Sequence, residues 1–253
     1  MKTSPLTHWL PASIKPSNLA ARRLKRLTHG RIFSGPFTGM HYVNGSVCSA
    51  WYPKILGTYE LELHDLINKL SGKAFDTFVD VGAAEGYYAV GMSRLINCKK
   101  VIAFEATDSG QELIRELAEL NDVSSKVEVR GFCTPQAFKA AITGASGSVL
   151  IICDIEGGEE SLLLEQPISI FQNAVVIVET HEFAVRGVTE KLIHYFSATH
   201  EIDRIQSRER VAADIPRGLR SPIWNRWIVR LMGEERPMTM DWLLMTPRHA
   251  KFS

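Results

Sequence analysis

Residues 75–95 read FDTFVDVGAAEGYYAVGMSRL, and this stretch decides the fold that we predict. Phe75, Phe78 and Val79 form an apolar run that is short enough for a buried strand. The glycine-containing turn at residues 80–86 then leads into an apolar pattern that fits a helix. A strand, a glycine loop and a helix in this order are typical of a nucleotide-binding βα unit, in which the helix N-terminus offers unpaired N–H groups to the ligand.

The glycine spacing differs from the dinucleotide-binding fingerprint G-x-G-x-x-G. Counting from Gly82, the third position is Ala84 and the sixth is Tyr87, so residues 80–86 follow the pattern D-x-G-x-A-x-G instead. This loop alone could be an ordinary tight turn. However, Glu105 follows the next apolar run, and a carboxylate at that point can accept two hydrogen bonds from ribose hydroxyls. The pair therefore favours a nucleotide-like ligand.

The whole-chain composition is that of a soluble globular protein. The chain has 253 residues, of which 45% are hydrophobic and 23% charged, with a net charge of +1. This balance predicts no general attraction to nucleic acid or to anionic membranes. No apolar run approaches the roughly 20 residues of a membrane span, and the N-terminus lacks the apolar core of a secretory signal. The four cysteines show no C-x-x-C spacing, which argues against a zinc site and for a reducing, cytoplasmic compartment.

Apolar runs alternate with helical patterns along the chain, which predicts a Rossmann-like, doubly wound α/β fold. We expect a mostly parallel seven-stranded sheet with helices on both faces, because the strands lack the period-two alternation of a half-exposed sheet. The predicted strands are residues 75–79, 101–104, 127–129, 149–153, 174–178, 201–205 and 240–245. The predicted helices outside the nucleotide unit are residues 19–27, 60–70, 111–121, 135–142, 159–165 and 188–196.

The two ends of the chain differ in texture from the centre. For residues 1–56 we predict a basic arm followed by a small β/helical extension, and for residues 57–253 the main domain. Turn signals within 31–56 indicate a hairpin. Residues 206–238 are long for a simple loop and are a candidate substrate lid. Basic residues cluster in both end regions, which is either a solvated face or a surface that selects an anionic acceptor. We expect the acceptor pocket to use Trp51, Tyr52, Arg217, Arg220, Trp224, Arg226 and Trp227.

Acidic residues stand at the ends of four predicted strands: Asp80, Glu105, Asp154 and Glu179. In an open α/β sheet, ligands bind at the carboxyl ends of the strands, so these side chains should converge on one rim. The sequence D-I-E-G-G-E begins at Asp154, and E-T-H-E begins at Glu179. Glu159 and Glu160 could instead only favour a helix N-terminus, which is the interpretation that we adopt for Glu160.

These motifs resemble the FkbM family of S-adenosylmethionine (SAM)-dependent methyltransferases. The resemblance covers residues 57–182 and rests on D-V-G-A-x-x-G, D-x-E-G-x-E and E-x-H; the family's Phe-Glu-Pro is Phe104-Glu105-Ala106 here, which leaves the shape of that loop open. It implies the class I methyltransferase fold, SAM as cofactor, and a hydroxyl of a small molecule or of a sugar or glycan precursor as acceptor. The cofactor-binding residues that it implies are Tyr59, Glu60, Asp80, Gly82, Ala83, Ala84, Gly86, Tyr87, Glu105, Ala106 and Asp154.

Methyl transfer to an alcohol requires a group that takes the hydroxyl proton. His181 is our first candidate because its ordinary pKa lies near neutral pH. Asp154 is the second, and Glu179 stands beside them as a third catalytic residue. Two alternatives remain open: His181 could be a structural hydrogen-bonding residue, or Asp154, Glu179 and His181 could bind Mg²⁺.

Two other functions fit the same sheet. One is an oxidoreductase that uses a nicotinamide cofactor, although the missing third glycine counts against it. The other is a SAM-binding protein without catalytic activity. We do not expect nucleic acid as the acceptor, because the chain has no N/D-P-P-Y-type motif and no recognisable RNA-binding module.

Overall fold

The computed structural model describes residues 16–47, 50–234, 236 and 238–249. The start of the basic arm, residues 1–15, and Cys48 lie outside the described residues. The helices are α1 (Pro16–Thr28), α2 (Trp51–Leu56), α3 (His64–Leu70), α4 (Tyr87–Leu95), α5 (Asp108–Leu120), α6 (Pro135–Thr143), α7 (Val188–Phe196) and α8 (Asn225–Leu231). The strands are β1 (Ala74–Val81), β2 (Asn97–Phe104), β3 (Val127–Arg130), β4 (Val149–Cys153), β5 (Ala174–Thr180), β6 (His200–Gln206) and β7 (Asp241–Pro247).

The seven strands form one sheet in the order β3-β2-β1-β4-β5-β7-β6. Strands β1 to β5 run parallel, whereas β7 is antiparallel to both β5 and β6. The strand order reverses between β1 and β4, which is where a doubly wound sheet opens its ligand crevice. The predicted fold class, a mostly parallel seven-stranded Rossmann-like sheet, is confirmed.

Both faces of the sheet are buried, because alternate residues of each central strand enter different apolar layers. Phe78 of β1 packs in the layer beneath α4 and α5, while its neighbour Val79 packs in the layer beneath α6 and α7. Both side chains are fully buried. Leu24 of α1 and Phe37 belong to the first layer, so the N-terminal extension covers the same face as α4 and α5.

The hairpin that the turn signals predict is present only as a short antiparallel pairing, in which the amides of Ile32 and Tyr42 donate to the carbonyl oxygens of Met40 and Gly30 at 2.8 Å. Residues 31–47 form a series of turns with one isolated bridge between Arg31 and His41. The segment then continues into helix α2, whose third residue is Pro53. Proline is tolerated there because the N–H groups of a helix's first turn have no partner within the helix.

Two other segments differ from their predicted form. The helix predicted for residues 60–70 divides into a 3₁₀ turn, Leu61–Leu63, and α3, and the one predicted for 159–165 is a π turn, Glu160–Leu164. Residues 206–238, predicted as a lid, contain two 3₁₀ turns, Ala212–Asp214 and Arg217–Leu219, and helix α8. The residues of this segment that are buried in the first apolar layer are Ile215, Leu219, Ile228 and Met232.

Candidate functional site

A cavity of about 460 Å³ lies at the carboxyl ends of β1, β2, β4 and β5. The predicted site residues that line it are Tyr59, Asp80, Gly82, Ala83, Ala84, Tyr87, Glu105, Ala106, Asp154, Glu179 and His181. Glu60 and Gly86 were also predicted to bind the cofactor, but they are not among the lining residues. Gly86 is the N-cap of α4, and Glu60 is completely buried behind the wall of the cavity.

The glycine loop, residues 82–86, is held against the strand β4 side of the site. Gly82 has a φ of +81°, and a Cβ atom there would lie 1.7 Å from the carbonyl oxygen of Asp154. No side chain fits this contact, so glycine is required for the loop to approach the Asp154 turn. Ala84 also has a positive φ of 50°, which costs about 1 kcal/mol for a residue with a Cβ atom.

Glu105 is already tied into the protein by three hydrogen bonds. Its Oε2 accepts from the amide of Ala84 at 3.0 Å, and its Oε1 accepts from the amide and the hydroxyl of Thr107 at 2.8 and 2.7 Å. A carboxylate has about four acceptor positions, so one position remains for a ligand. The carboxylate therefore joins the glycine loop to the start of α5 and also faces the cavity.

Asp80, at the end of β1, is buried and only partly satisfied. Burial raises the pKa of Asp80 to about 7, and the negative charge of Asp154 adds to this effect. Its Oδ2 accepts no hydrogen bond from the described residues. Buried polar atoms nearly always have a hydrogen-bond partner. The partner of this oxygen would then be a donor group on a ligand in the cavity.

The D-x-E-G-x-E motif folds into a turn around its last carboxylate, Glu159. Glu159 is fully buried, and its Oε1 accepts from the amides of Ile155 at 3.4 Å and Gly157 at 3.1 Å. The same oxygen lies 2.7 Å from Nδ1 of His181. Although burial opposes ionisation, the bond from His181 holds the pKa of Glu159 below its ordinary value. The ionised carboxylate can only accept, so Nδ1 carries a proton and Nε2 faces the cavity.

Three carboxylates surround the Nε2 atom of His181. It lies 3.4 Å from Asp154 Oδ1, 3.5 Å from Glu156 Oε2 and 3.6 Å from Glu179 Oε2. Burial works to lower the pKa of His181, but the bond to Glu159 and the surrounding negative charges outweigh it and raise that pKa. The structure thus brings together all three predicted catalytic residues, with Glu156 as a fourth.

Arg236 is bound to three carboxylates on the far side of this group. Its Nη1 donates to Glu179, its Nη2 donates to Glu60 at 2.9 Å, and its Nε donates to Glu234 at 2.9 Å. Glu60 also accepts from the Tyr88 hydroxyl. Burial raises the pKa of both Glu60 and Glu179, while Arg236 opposes that shift in each.

The N-terminal extension contributes a buried ion pair between Lys54 and Glu85. Nζ of Lys54 lies 2.6 Å from Oε1 of Glu85, and neither side chain is more than 3% exposed. Glu85 also accepts from the Tyr42 hydroxyl at 2.6 Å and from the Val47 amide at 3.1 Å. Lys54 lines the cavity and lies over the ring of Tyr59, 4.8 Å from its centroid. The glycine loop is therefore clamped to the extension through Glu85.

The flanking residues that we expected to form the acceptor pocket do not line the cavity. None of Trp51, Tyr52, Arg217, Arg220, Trp224, Arg226 and Trp227 is among its lining residues, so their part in an acceptor pocket stays a prediction. Arg220 instead donates to the carbonyl oxygens of Ile215 and Ala213. From residues 206–238, the described residues that line the cavity are Glu234 and Arg236. Most charged residues at this rim are carboxylates, which repel anions. The basic clusters of the two end regions therefore do not support the prediction of an anionic acceptor.

Sequence reasoning missed Lys54, Glu156, Glu159, Glu234 and Arg236. Glu156 and Glu159 are the two glutamates of the D-x-E-G-x-E motif. Their positions shortly after strand β4 could have marked them as site residues. Glu60 lies 176 residues from its partner Arg236, and Lys54 lies 31 residues from Glu85. Two residues so far apart leave no local pattern, because in the sequence each one looks like any other charged surface residue.

No protein-family model and no curated protein matches the chain. Among solved structures, an O-methyltransferase from Bacillus cereus in complex with SAH is 11% identical, with a TM-score of 0.49 and 95% of each chain covered. An rRNA methylase from Streptococcus thermophilus is 12% identical, with a TM-score of 0.47, over 73% of this chain and 96% of that one. A precorrin 8w decarboxylase from Methanobacterium thermoautotrophicum is 15% identical, with a TM-score of 0.46, over 74% and 89%.

None of these similarities assigns an activity to this chain. Within the described part of the chain, no helix is long and apolar enough to cross a membrane.

Proposed function

We propose that this chain is a SAM-dependent methyltransferase of the FkbM type that methylates a hydroxyl oxygen of a small molecule or sugar-like acceptor. One observation carries the proposal. A single cavity joins the glycine loop and Glu105 at one end to Asp154, Glu179 and His181 at the other. Its volume of about 460 Å³ is within the usual range for small-molecule sites. The proposal keeps the cytoplasmic location predicted from the cysteine pattern.

The first end of the cavity suits the nucleoside part of SAM. Glu105 has one acceptor position left for ribose hydroxyls, and the loop backbone at Gly82 and Ala84 lines the adjacent surface. Asp80 Oδ2 accepts no hydrogen bond from the described residues and would accept one from the amino group of the methionine part. The positive charge of the sulfonium would also be favoured by the acidic rim.

The second end of the cavity suits the chemistry of methyl transfer to oxygen. The acceptor oxygen attacks the methyl carbon, the carbon–sulfur bond breaks with its electrons going to sulfur, and the hydroxyl proton passes to a base, for which Nε2 of His181 is the first candidate. The carboxylates around His181 favour this transfer, because their negative charge stabilises the imidazolium that forms when His181 takes the proton. Their charge also disfavours an anionic acceptor, so we propose a neutral, hydroxyl-bearing one.

Calorimetric titration tests the cofactor. We expect binding of SAM and of its product S-adenosylhomocysteine, and no binding of NAD. Binding of NAD without SAM would replace the proposal with the oxidoreductase alternative.

A second assay would offer labelled SAM with neutral sugars, phenols, sugar phosphates and RNA. Label transfer to RNA alone would contradict the proposed acceptor, and SAM binding without any transfer would favour the non-catalytic alternative.

A further inference from the structure

The end of the cavity beside His181 has the geometry of a cation site. We propose that Asp154, Glu156 and His181 bind one divalent metal ion, with Glu179 able to provide a fourth ligand. The ring of His181 is 2% exposed, and the hydrogen bond that it makes in the described structure is the one from Nδ1 to Glu159. Its Nε2 atom points instead into the space between the carboxylates.

One buried oxygen without a hydrogen-bond partner faces Nε2 of His181 in this space. Asp154 Oδ1 is buried and has no hydrogen-bond partner among the described residues, and it lies 3.4 Å from His181 Nε2. A buried oxygen without a partner is destabilising, because its lost contacts with water are not replaced. One cation between Oδ1 and Nε2 would satisfy both atoms and would also offset the negative charge of Glu156.

The spacing of the ligand atoms fits a small ion. Ligand atoms about 2.1 Å from one ion are separated by about 3.0 Å in octahedral geometry and about 3.4 Å in tetrahedral geometry. Nε2 lies 3.4 to 3.6 Å from the three carboxylate oxygens, which is close to the tetrahedral separation. The ligand atoms of Asp154, Glu156 and His181 all lie within 4.8 Å of one another.

A second set of carboxylates, Glu60, Asp154 and Glu179, has the same spacing. We do not place the ion there, because both oxygens of Glu60 are already engaged, one by Arg236 and one by the Tyr88 hydroxyl, whereas Oε2 of Glu179 still lies beside His181. Glu156 is different: its side chain is 66% exposed, and its charge partner in the described structure is His181. The ion therefore belongs on the Glu156 side of the group.

Glu159 supplies the outer support that a metal-binding histidine normally has. It accepts the Nδ1 proton of His181 at 2.7 Å, which fixes the ring and leaves Nε2 as the ligand atom. One imidazole with carboxylates suits a first-row transition ion such as Mn²⁺ better than Mg²⁺, which prefers oxygen ligands alone. If the proposed methyl transfer is correct, the ion would polarise the acceptor hydroxyl, and His181 would be its ligand rather than the base.

Electron paramagnetic resonance tests the site without SAM or turnover. The protein is first dialysed against a chelator and is then titrated with Mn²⁺. We expect the signal of free Mn²⁺ to be suppressed until one equivalent per chain has been added. Mg²⁺ should compete weakly. Glu156→Gln and His181→Asn should each weaken binding at least about tenfold, and Glu159→Gln should weaken it about 10–100-fold.

Glu160→Gln is the matched control, because Glu160 pairs with Lys191 at the surface and does not face His181. It should bind Mn²⁺ like the unaltered chain. Glu156 is exposed enough that its substitution should leave the fold intact, as thermal unfolding would verify. The proposal is overturned if free Mn²⁺ persists from the first additions, or if Glu156→Gln binds as tightly as the control. SAM binding is measured in a separate calorimetric titration. If the chain binds no Mn²⁺, that titration still tests the proposed function on its own.

Discussion

Glu105 illustrates how one side chain can serve the fold and a ligand together. Three of its acceptor positions are used by Ala84 and Thr107, and these bonds hold the glycine loop against the start of α5. Gly110 packs directly on it, since a Cβ atom there would lie 2.6 Å from Glu105 Cγ. A ligand that binds Glu105 therefore finds the carboxylate already oriented.

Substituting Glu105 should weaken SAM binding more than it weakens the fold. Glu105→Ala removes a charge-assisted hydrogen bond, and we expect a loss of about 1.5–3 kcal/mol of binding free energy by calorimetry. Glu105→Gln keeps the shape and should lose less. Asp108→Asn, at an exposed position in the same helix start, is the control. Equal SAM affinity in Glu105→Ala and the control would exclude the ribose role.

At the scale of elements, the glycine loop is fixed by a neighbour that is distant in sequence. Glu85 connects the loop to Tyr42, Val47 and Lys54 of the N-terminal extension. Although burial opposes ionisation, Lys54 holds the pKa of Glu85 below its ordinary value. The ion pair therefore stabilises the folded state at neutral pH.

Acid should remove this contribution. Because the pKa of Glu85 is lower in the folded state, its stabilisation is present above the unfolded pKa of about 4.3 and is lost as the pH falls through the folded value. Glu85→Gln leaves Lys54 buried without its counter-charge, and we expect a cost of about 3–5 kcal/mol at pH 7 in urea unfolding.

The difference in unfolding free energy between Glu85→Gln and the unaltered chain should shrink as the pH falls below 4. The exposed substitution Glu119→Gln should change little at either pH. A difference that stays constant from pH 7 to pH 3.5 would show that packing, and not the ion pair, accounts for the loss.

The elements that could be predicted are those whose signals are local. The strand at residues 75–79 and the glycine turn after it follow from neighbouring residues, because burial on both faces needs a continuous apolar run. Of the hairpin predicted in 31–56, one antiparallel bridge between Arg31 and His41 is present, and the segment ends in helix α2, whose Ile55 and Leu56 are buried in the first apolar layer. Arg236 could not be predicted at all, since its partners are distant in sequence.

At the scale of the molecule, two arginines join distant parts of the chain. Arg236 binds Glu60 and Glu179, while Arg210 binds Glu62 at 2.8 Å and Glu234 at 2.5 Å. These contacts connect the start of the main domain, strand β5 and the segment before β7. They also form the wall of the cavity behind the cation site that we propose.

Removing Arg236 should destabilise the chain as a whole. Arg236→Met would leave Glu60 and Glu179 buried without a cation, and we expect a loss of about 3–5 kcal/mol in unfolding free energy. Arg217→Met, at an exposed position, is the control and should change stability by less than about 0.5 kcal/mol. If the two variants unfold at the same urea concentration, the network is not a stabilising one.

The placement of β7 between β5 and β6 has a consequence for synthesis on the ribosome. β6 is made before β7 but pairs with β7 rather than with β5. Until residues 241–247 have left the exit tunnel, the edge of β5 stays open and β6 has no partner in the sheet. An open edge of apolar strands is a site for pairing with other chains, so the nascent protein would depend on chaperones at this stage. Its candidate site can close only after the segment that carries Arg236 and Met240 has been synthesised.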